Sequence, residues 1–173
     1  MARNIEIKAR VADMDALAAR AAAIADGGPE EIPQDDTFFG CANGRLKLRV
    51  LADGRGELIF YRRPDADGPK VSFYVISPTD SPDTLREALA LANGQEGRVL
   101  KHRTVYMVGR TRVHLDRVQG LGDYMELEVV LAQDETPEDG VREAHALMAR
   151  LGIAADSLVT GAYHDLLRAR VAG

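Results

Sequence analysis

Short runs in which every second residue is charged or polar, with apolar side chains between, recur along this chain. Asn4-Ile5-Glu6-Ile7-Lys8-Ala9-Arg10 is the first, and Arg45-Leu46-Lys47-Leu48-Arg49 repeats it. Lys101 and Arg103 belong to a third, Arg110, Arg112, His114 and Asp116 to a fourth, and Glu126-Leu127-Glu128 to a fifth. Side chains alternate across a strand, so each run predicts a β-strand with one ionic and one apolar face. Asn43-Gly44, Asp53-Gly54 and Asp67-Gly68-Pro69 are tight-turn signals that set strands into successive hairpins. Eight strands are predicted, at about 4–10, 36–40, 44–52, 56–63, 69–77, 99–108, 111–118 and 123–132.

Helical spacing marks the remainder. Asp13 caps an alanine-rich helix to about Asp26, with Gly27-Gly28-Pro29 as its stop. Ser81-Pro82 opens a second helix that Gly94 ends, and Thr136-Pro137 opens a third that Gly152 ends. A short helix at Tyr163–Arg170 completes the chain. The prediction is an α+β fold: a mainly antiparallel sheet of eight strands, its apolar face covered by three to four helices. Closed with the ionic face inward, eight strands make a barrel wide enough for side chains and one small ligand.

Charge sharpens this picture. With Arg62 added, the strand set holds ten cations and four anions, +6 in a chain of formal net charge -5, leaving -11 elsewhere. The expected bore is therefore basic, with a few carboxylates clustered in it, a combination suited to a polyanion and a divalent metal. An ordinary sheet with a solvated polar face is the bland alternative. Its standing falls because the sign bias repeats over five runs.

With 173 residues and 46% hydrophobic composition, one domain over 1–173 is expected. No signal-like N-terminus or run of 18 apolar residues occurs, which predicts a cytoplasmic protein with no membrane partner. The pI of about 5.4 argues against a nucleic-acid partner. Cys41, the single cysteine, reads as structural. There is no GxxxxGK[ST], GxGxxG or GxSxG, and the four histidines lack zinc spacing.

The first strand resembles the ExExK signature of the CYTH superfamily, the triphosphate tunnel metalloenzymes. Lys101–Glu128, KHRTVYMVGRTRVHLDRVQGLGDYMELE, is similar to the class IV adenylate cyclase branch, with its KxR strand, YxVG hairpin, aspartate and GLGxFxE run in order. Asp36-Thr37-Phe38-Phe39, Leu48-Arg49, Arg62-Arg63-Pro64 and Tyr163-His164-Asp165-Leu166-Leu167 extend the likeness over nearly the whole chain. The resemblance implies Glu6, Glu126, Glu128, Asp116 and Asn4 as ligands of Mg²⁺ or Mn²⁺. It implies Lys8, Arg49, Arg62, Lys101 and Arg103 as phosphate-binding residues, with Lys8, Arg62 and Asp116 catalytic. Arg45, Lys47 and Arg110 share the ionic alternation and join the phosphate-binding set with less specific support. Tyr163 is either an apolar anchor or a tunnel contact. A homodimer is compatible with the family, although no residue pattern in the chain demands one.

Two departures bear on chemistry. Asn4 stands where the signature has its first glutamate, and Pro69-Lys70-Val71-Ser72-Phe73 lacks the acidic residue usual there. Three functions follow from the resemblance: a class IV-type cyclase making cyclic AMP and pyrophosphate from ATP, a triphosphatase, or a catalytically impaired nucleotide or polyphosphate binder. The substrate in each is a nucleoside triphosphate or another triphosphate.

Overall fold

A computed structural model describes residues 2–173. Eight strands close into a barrel: β1 (Ala2–Arg10), β2 (Gly27–Phe39), β3 (Arg45–Leu51), β4 (Gly56–Arg62), β5 (Lys70–Thr79), β6 (Gln95–Val108), β7 (Thr111–Val118) and β8 (Gly122–Val130). Round the barrel the order is β1-β5-β4-β3-β2-β6-β7-β8, and every neighbouring pair is antiparallel. Four helices accompany it: α1 (Met14–Ile24), α2 (Pro82–Asn93), α3 (Pro137–Leu151) and α4 (Tyr163–Ala172). None of the described helices is long and apolar enough to cross a membrane.

The alternation explains the two faces. Ile7, Ala9, Val113, Leu115, Met125 and Leu127 point outward and are buried under Met14, Leu17 and Ala21 of α1 and Leu147, Met148 and Leu151 of α3. Gly140 lets α3 lie close to β1, since a Cβ there would stand 2.6 Å from Ile5 Cγ1. A separate cluster of Phe38, Val99, Val118, Tyr124 and Tyr163 fills one end of the bore. The main hydrophobic layer is thus outside the barrel, which leaves the central bore free for polar groups.

The hairpins after β3 and β4, and the Asp13 cap of α1, are as expected; Ala16 N donates to Asp13 Oδ1 at 2.9 Å. β2 differs, running from Gly27 rather than from about residue 36. The Gly27-Gly28-Pro29 signal does end α1, but it also begins the strand. At Gly28, φ is +94° and a Cβ would lie 2.5 Å from the Val105 carbonyl oxygen, so glycine allows β2 to press on β6 there.

Candidate functional site

The bore is a cavity of about 470 Å³ whose walls come from all eight strands and the start of α4. Glu6 and Lys8 come from β1, Asp36 from β2, Lys47 and Arg49 from β3, and Arg63 from just beyond β4. Lys101 and Arg103 lie on β6, Arg112 and His114 on β7, and Glu126 and Glu128 on β8. Register aligns them, with Glu6 opposite Glu128, Lys8 opposite Glu126 and Arg49 opposite Asp36.

Glu6, Glu126, Glu128, Asp36 and Asp116 each have a cationic partner. Arg63 Nη1 donates to Glu6 Oε2 at 2.8 Å. Lys8 Nζ stands 3.4 Å from Glu126 Oε1, and Arg112 Nη2 stands 2.7 Å from Glu128 Oε2. Arg49 holds Asp36 with two bonds of 2.8 Å, and Lys47 Nζ adds a third at 2.9 Å. Asp116, fully buried, receives the Arg103 fork at 2.7 and 2.6 Å and the Tyr163 hydroxyl at 2.7 Å. Both Asp116 oxygens are occupied, which suits it to orienting Arg103 more than to ligating a metal. Exchanging the Asn4 amide nitrogen and oxygen satisfies both: the nitrogen then donates to the Arg3 carbonyl at 3.1 Å and the oxygen accepts from Arg112 Nη2 at 3.3 Å.

Burial sets the protonation of the lysines and of His114. It draws the Lys8 ammonium down to about 8 and Lys101 to about 7, with Glu126 and Asp116 respectively opposing the shift. His114 is pushed down to about 4 by burial and the Arg103 charge, so it is neutral. Burial raises the Glu6 carboxyl, against the pull of Arg63. His114, Glu126 and Glu128 bring one ligand atom each within 4.8 Å of one another, and His114 Nδ1 has no hydrogen-bond partner. Sequence spacing placed His114 on the ionic face without marking it as a member of an acidic pocket.

Three expected phosphate-binding residues lie elsewhere. Arg62 is exposed on the outer wall, its guanidinium carbon 5.7 and 5.8 Å from the Phe60 and Phe73 ring centres. Pairing of Lys47 with Ile59 and Arg45 with Tyr61 sets odd-numbered β4 residues inward, so Arg63 is the bore residue. Arg45 sits in a separate surface cavity and pairs with Asp165 at 2.7 Å and Asp65 at 3.3 Å. Arg110, in the β6–β7 turn, is bound outside the barrel by Glu143 at 2.7 Å and by Glu135. The expected excess of positive charge is smaller than the ten cations against four anions read from the sequence. Seven cationic side chains line the bore against the carboxylates Glu6, Glu30, Asp36, Glu57, Glu126 and Glu128. Glu30 and Glu57 escaped notice, and Asp36 was quoted in a motif without a role, because none of them lies in a run of alternating charge.

α4 contributes what alternation could not reveal. The Gly161 carbonyl accepts from Lys8 Nζ at 3.1 Å and Arg63 Nη2 at 3.0 Å, while the Tyr163 ring lies 3.9 Å from Lys8 Nζ and 4.8 Å from Lys101 Nζ. Tyr163 is therefore both an apolar anchor and a wall of the tunnel.

The CYTH domain family model matches residues 2–163. The chain belongs to the CYTH family. This CYTH domain is 27% identical to the adenylate cyclase CyaB of Aeromonas hydrophila, over 94% of the chain and 87% of the relative. Its fold is similar to that of a Pyrococcus horikoshii protein, with TM-score 0.84 and 21% identity over 95% of this chain and 99% of the other. Hippeastrum HpAC1, an adenylyl-cyclase candidate with a dominant triphosphatase activity, matches with TM-score 0.68 and 19% identity over 96% of both chains.

Proposed function

We propose that this CYTH domain binds a triphosphate along its bore and processes it with Mg²⁺ or Mn²⁺, as a class IV-type adenylate cyclase. One observation carries the reading: Lys8, Lys47, Arg49, Arg63, Lys101 and Arg103 share a single cavity with Glu6, Glu126 and Glu128. The cations match a chain of phosphates, and the forked guanidinium groups can each take two phosphate oxygens.

The donor set fits a hard divalent cation, since Glu6, Glu126 and Glu128 offer oxygens and His114 offers a buried nitrogen without a partner. When bound, such an ion neutralises phosphate charge and polarises the phosphorus–oxygen bond. The remaining work falls to the chain. Arg49, Arg63 and Arg103 hold the phosphate oxygens in line and absorb charge as it develops. Asp116 fixes the Arg103 plane. In cyclisation the ATP 3′-oxygen bonds to the α-phosphorus, the bond to the α,β-bridging oxygen breaks, and pyrophosphate leaves with that electron pair. The hydroxyl proton passes to Lys8 Nζ in its neutral form, the minor form at pH 7, to which burial gives access by drawing the ammonium down to about 8.

The triphosphatase reading uses the same walls, with water attacking the terminal phosphorus. Its support is the likeness to HpAC1 and its dominant triphosphatase activity. Incubating the protein with ATP or tripolyphosphate, each with Mg²⁺ or Mn²⁺, separates the readings. Cyclic AMP with equimolar pyrophosphate is expected. Orthophosphate without cyclic AMP would transfer the assignment to triphosphatase, and binding without product would make the protein a binder.

A further inference from the structure

A second cavity, of about 540 Å³, lies at the α4 end, where the β2–β3 turn, the residues just after β4, the start of β6 and α4 meet. Phe38, Tyr61 and Arg63 line both this cavity and the bore, so they stand between the two. Four arginines, Arg45, Arg62, Arg63 and Arg168, line the second cavity against two carboxylates, Glu96 and Asp165. Arg45 and Arg63 are already engaged by Asp165 and Glu6. Arg62 and Arg168 have no carboxylate within 4.0 Å among the described residues.

Two of the side chains lining this cavity carry a buried polar atom without a hydrogen-bond partner, Nε of Arg63 and Nδ1 of His164. His164 is only 5% exposed, and the Arg63 side chain 6%. The His164 ring stacks on Phe38 at 4.3 Å, and its Nε2 stands 3.2 Å from Asp165 Oδ1. That carboxylate favours the imidazole proton on Nε2. Burial holds the ring below the usual histidine range, so at neutral pH Nδ1 is a lone-pair acceptor. A buried donor and a buried acceptor without partners are costly. Together they call for a ligand that offers both acceptor oxygens and a proton.

We infer that this second cavity binds a phosphate group, on a monoester or as the free ion, separately from the bore. Its charge suits the unpaired Arg62 and Arg168, and its oxygens can accept from Arg63 Nε. With a second ionisation at about 6, a phosphate group also keeps a P–OH in part of its population at neutral pH, and that hydroxyl can donate to His164 Nδ1. Sulfate has the same shape and no such proton, so it leaves Nδ1 unsatisfied. The volume is that of a site for an organic ligand, and Phe39, Leu46 and Pro64 supply apolar contact, which favours an ester over the bare ion. This site goes beyond the triphosphate reading and does not depend on it.

Amide ¹H–¹⁵N NMR on the whole protein, titrated separately with orthophosphate, phenyl phosphate and sulfate, tests this. The amides of Gly44, Asp165 and Arg168 are expected to shift and saturate with both phosphates, phenyl phosphate at the lower concentration. Sulfate should bind there at least about tenfold more weakly, for want of one buried hydrogen bond. Equal affinity for the two phosphates would support the site and name the free ion as its ligand. Arg168→Glu, at an exposed position, should weaken both phosphates roughly fivefold, whereas Arg142→Glu, the same charge change on an exposed position of α3, should not. His164→Phe keeps a ring against Phe38 and removes the nitrogen, and should bring phosphate down to the level of sulfate. Absence of saturable shifts at the three amides, equal binding of sulfate and orthophosphate, or an unaltered response in Arg168→Glu would overturn the site. None of these results bears on triphosphate binding, since Gly44, Asp165 and Arg168 do not line the bore.

Discussion

Arg62 and Arg63 are neighbours in sequence and lie on opposite sides of the barrel wall. Arg63→Ala should weaken triphosphate binding at least about tenfold, because it removes a buried guanidinium and leaves Glu6 unpaired, whereas Arg62→Ala should leave binding within about twofold. Titration calorimetry on both variants decides it. Asn4→Glu would restore the missing signature carboxylate beside Glu6 and Arg112, and is expected to raise the metal-dependent rate; an unchanged or lower rate would show that this carboxylate is not limiting. Asp36 carries a stability prediction. Despite the opposing effect of burial, Arg49 and Lys47 hold its carboxyl well below the usual carboxylate range. Its contribution is therefore present above its unfolded value of 3.8 and is lost as pH falls below that value. Asp36→Asn should flatten the fall in urea-unfolding stability between about pH 5 and pH 3, and Asp36→Ala should cost about 3–5 kcal/mol at neutral pH by stranding two buried cations.

At the level of elements, alternation was readable wherever charges marked every second residue. Lys8, Arg49, Lys101 and Glu126 were placed on their strands from sequence and do line the bore. The phase failed on β4, where Glu57-Leu58-Ile59-Phe60-Tyr61 carries no regular charge and only pairing with β3 tells inward from outward. Asp36 stood in a quoted motif but had no ionic alternation around it. Arg110 followed the period in sequence, yet a turn residue is not bound by the strand's alternation. Its ion pairs join the β6–β7 turn to α3 and to Glu135 just before it. Arg110 is itself about one-third exposed, so Arg110→Ala should lower stability by about 1 kcal/mol or less and leave triphosphate binding unchanged, as thermal unfolding and calorimetry would show.

The whole molecule was legible as a helix-flanked barrel because its eight strands and three of its helices each carried a local signal. The closing of one end was not, since the contacts of Gly161 and Tyr163 join residues more than a hundred positions apart to Lys8. Those contacts narrow the bore at the α4 end. Whatever goes in deepest is the last to come out. If ATP enters with its terminal phosphate toward α4, pyrophosphate lies beneath the cyclic nucleotide, departure is ordered, and the free protein meets pyrophosphate and ATP as rivals for one doorway. Inhibition by added pyrophosphate should then be competitive with ATP in initial-rate measurements, while added cyclic AMP should give a mixed or noncompetitive pattern.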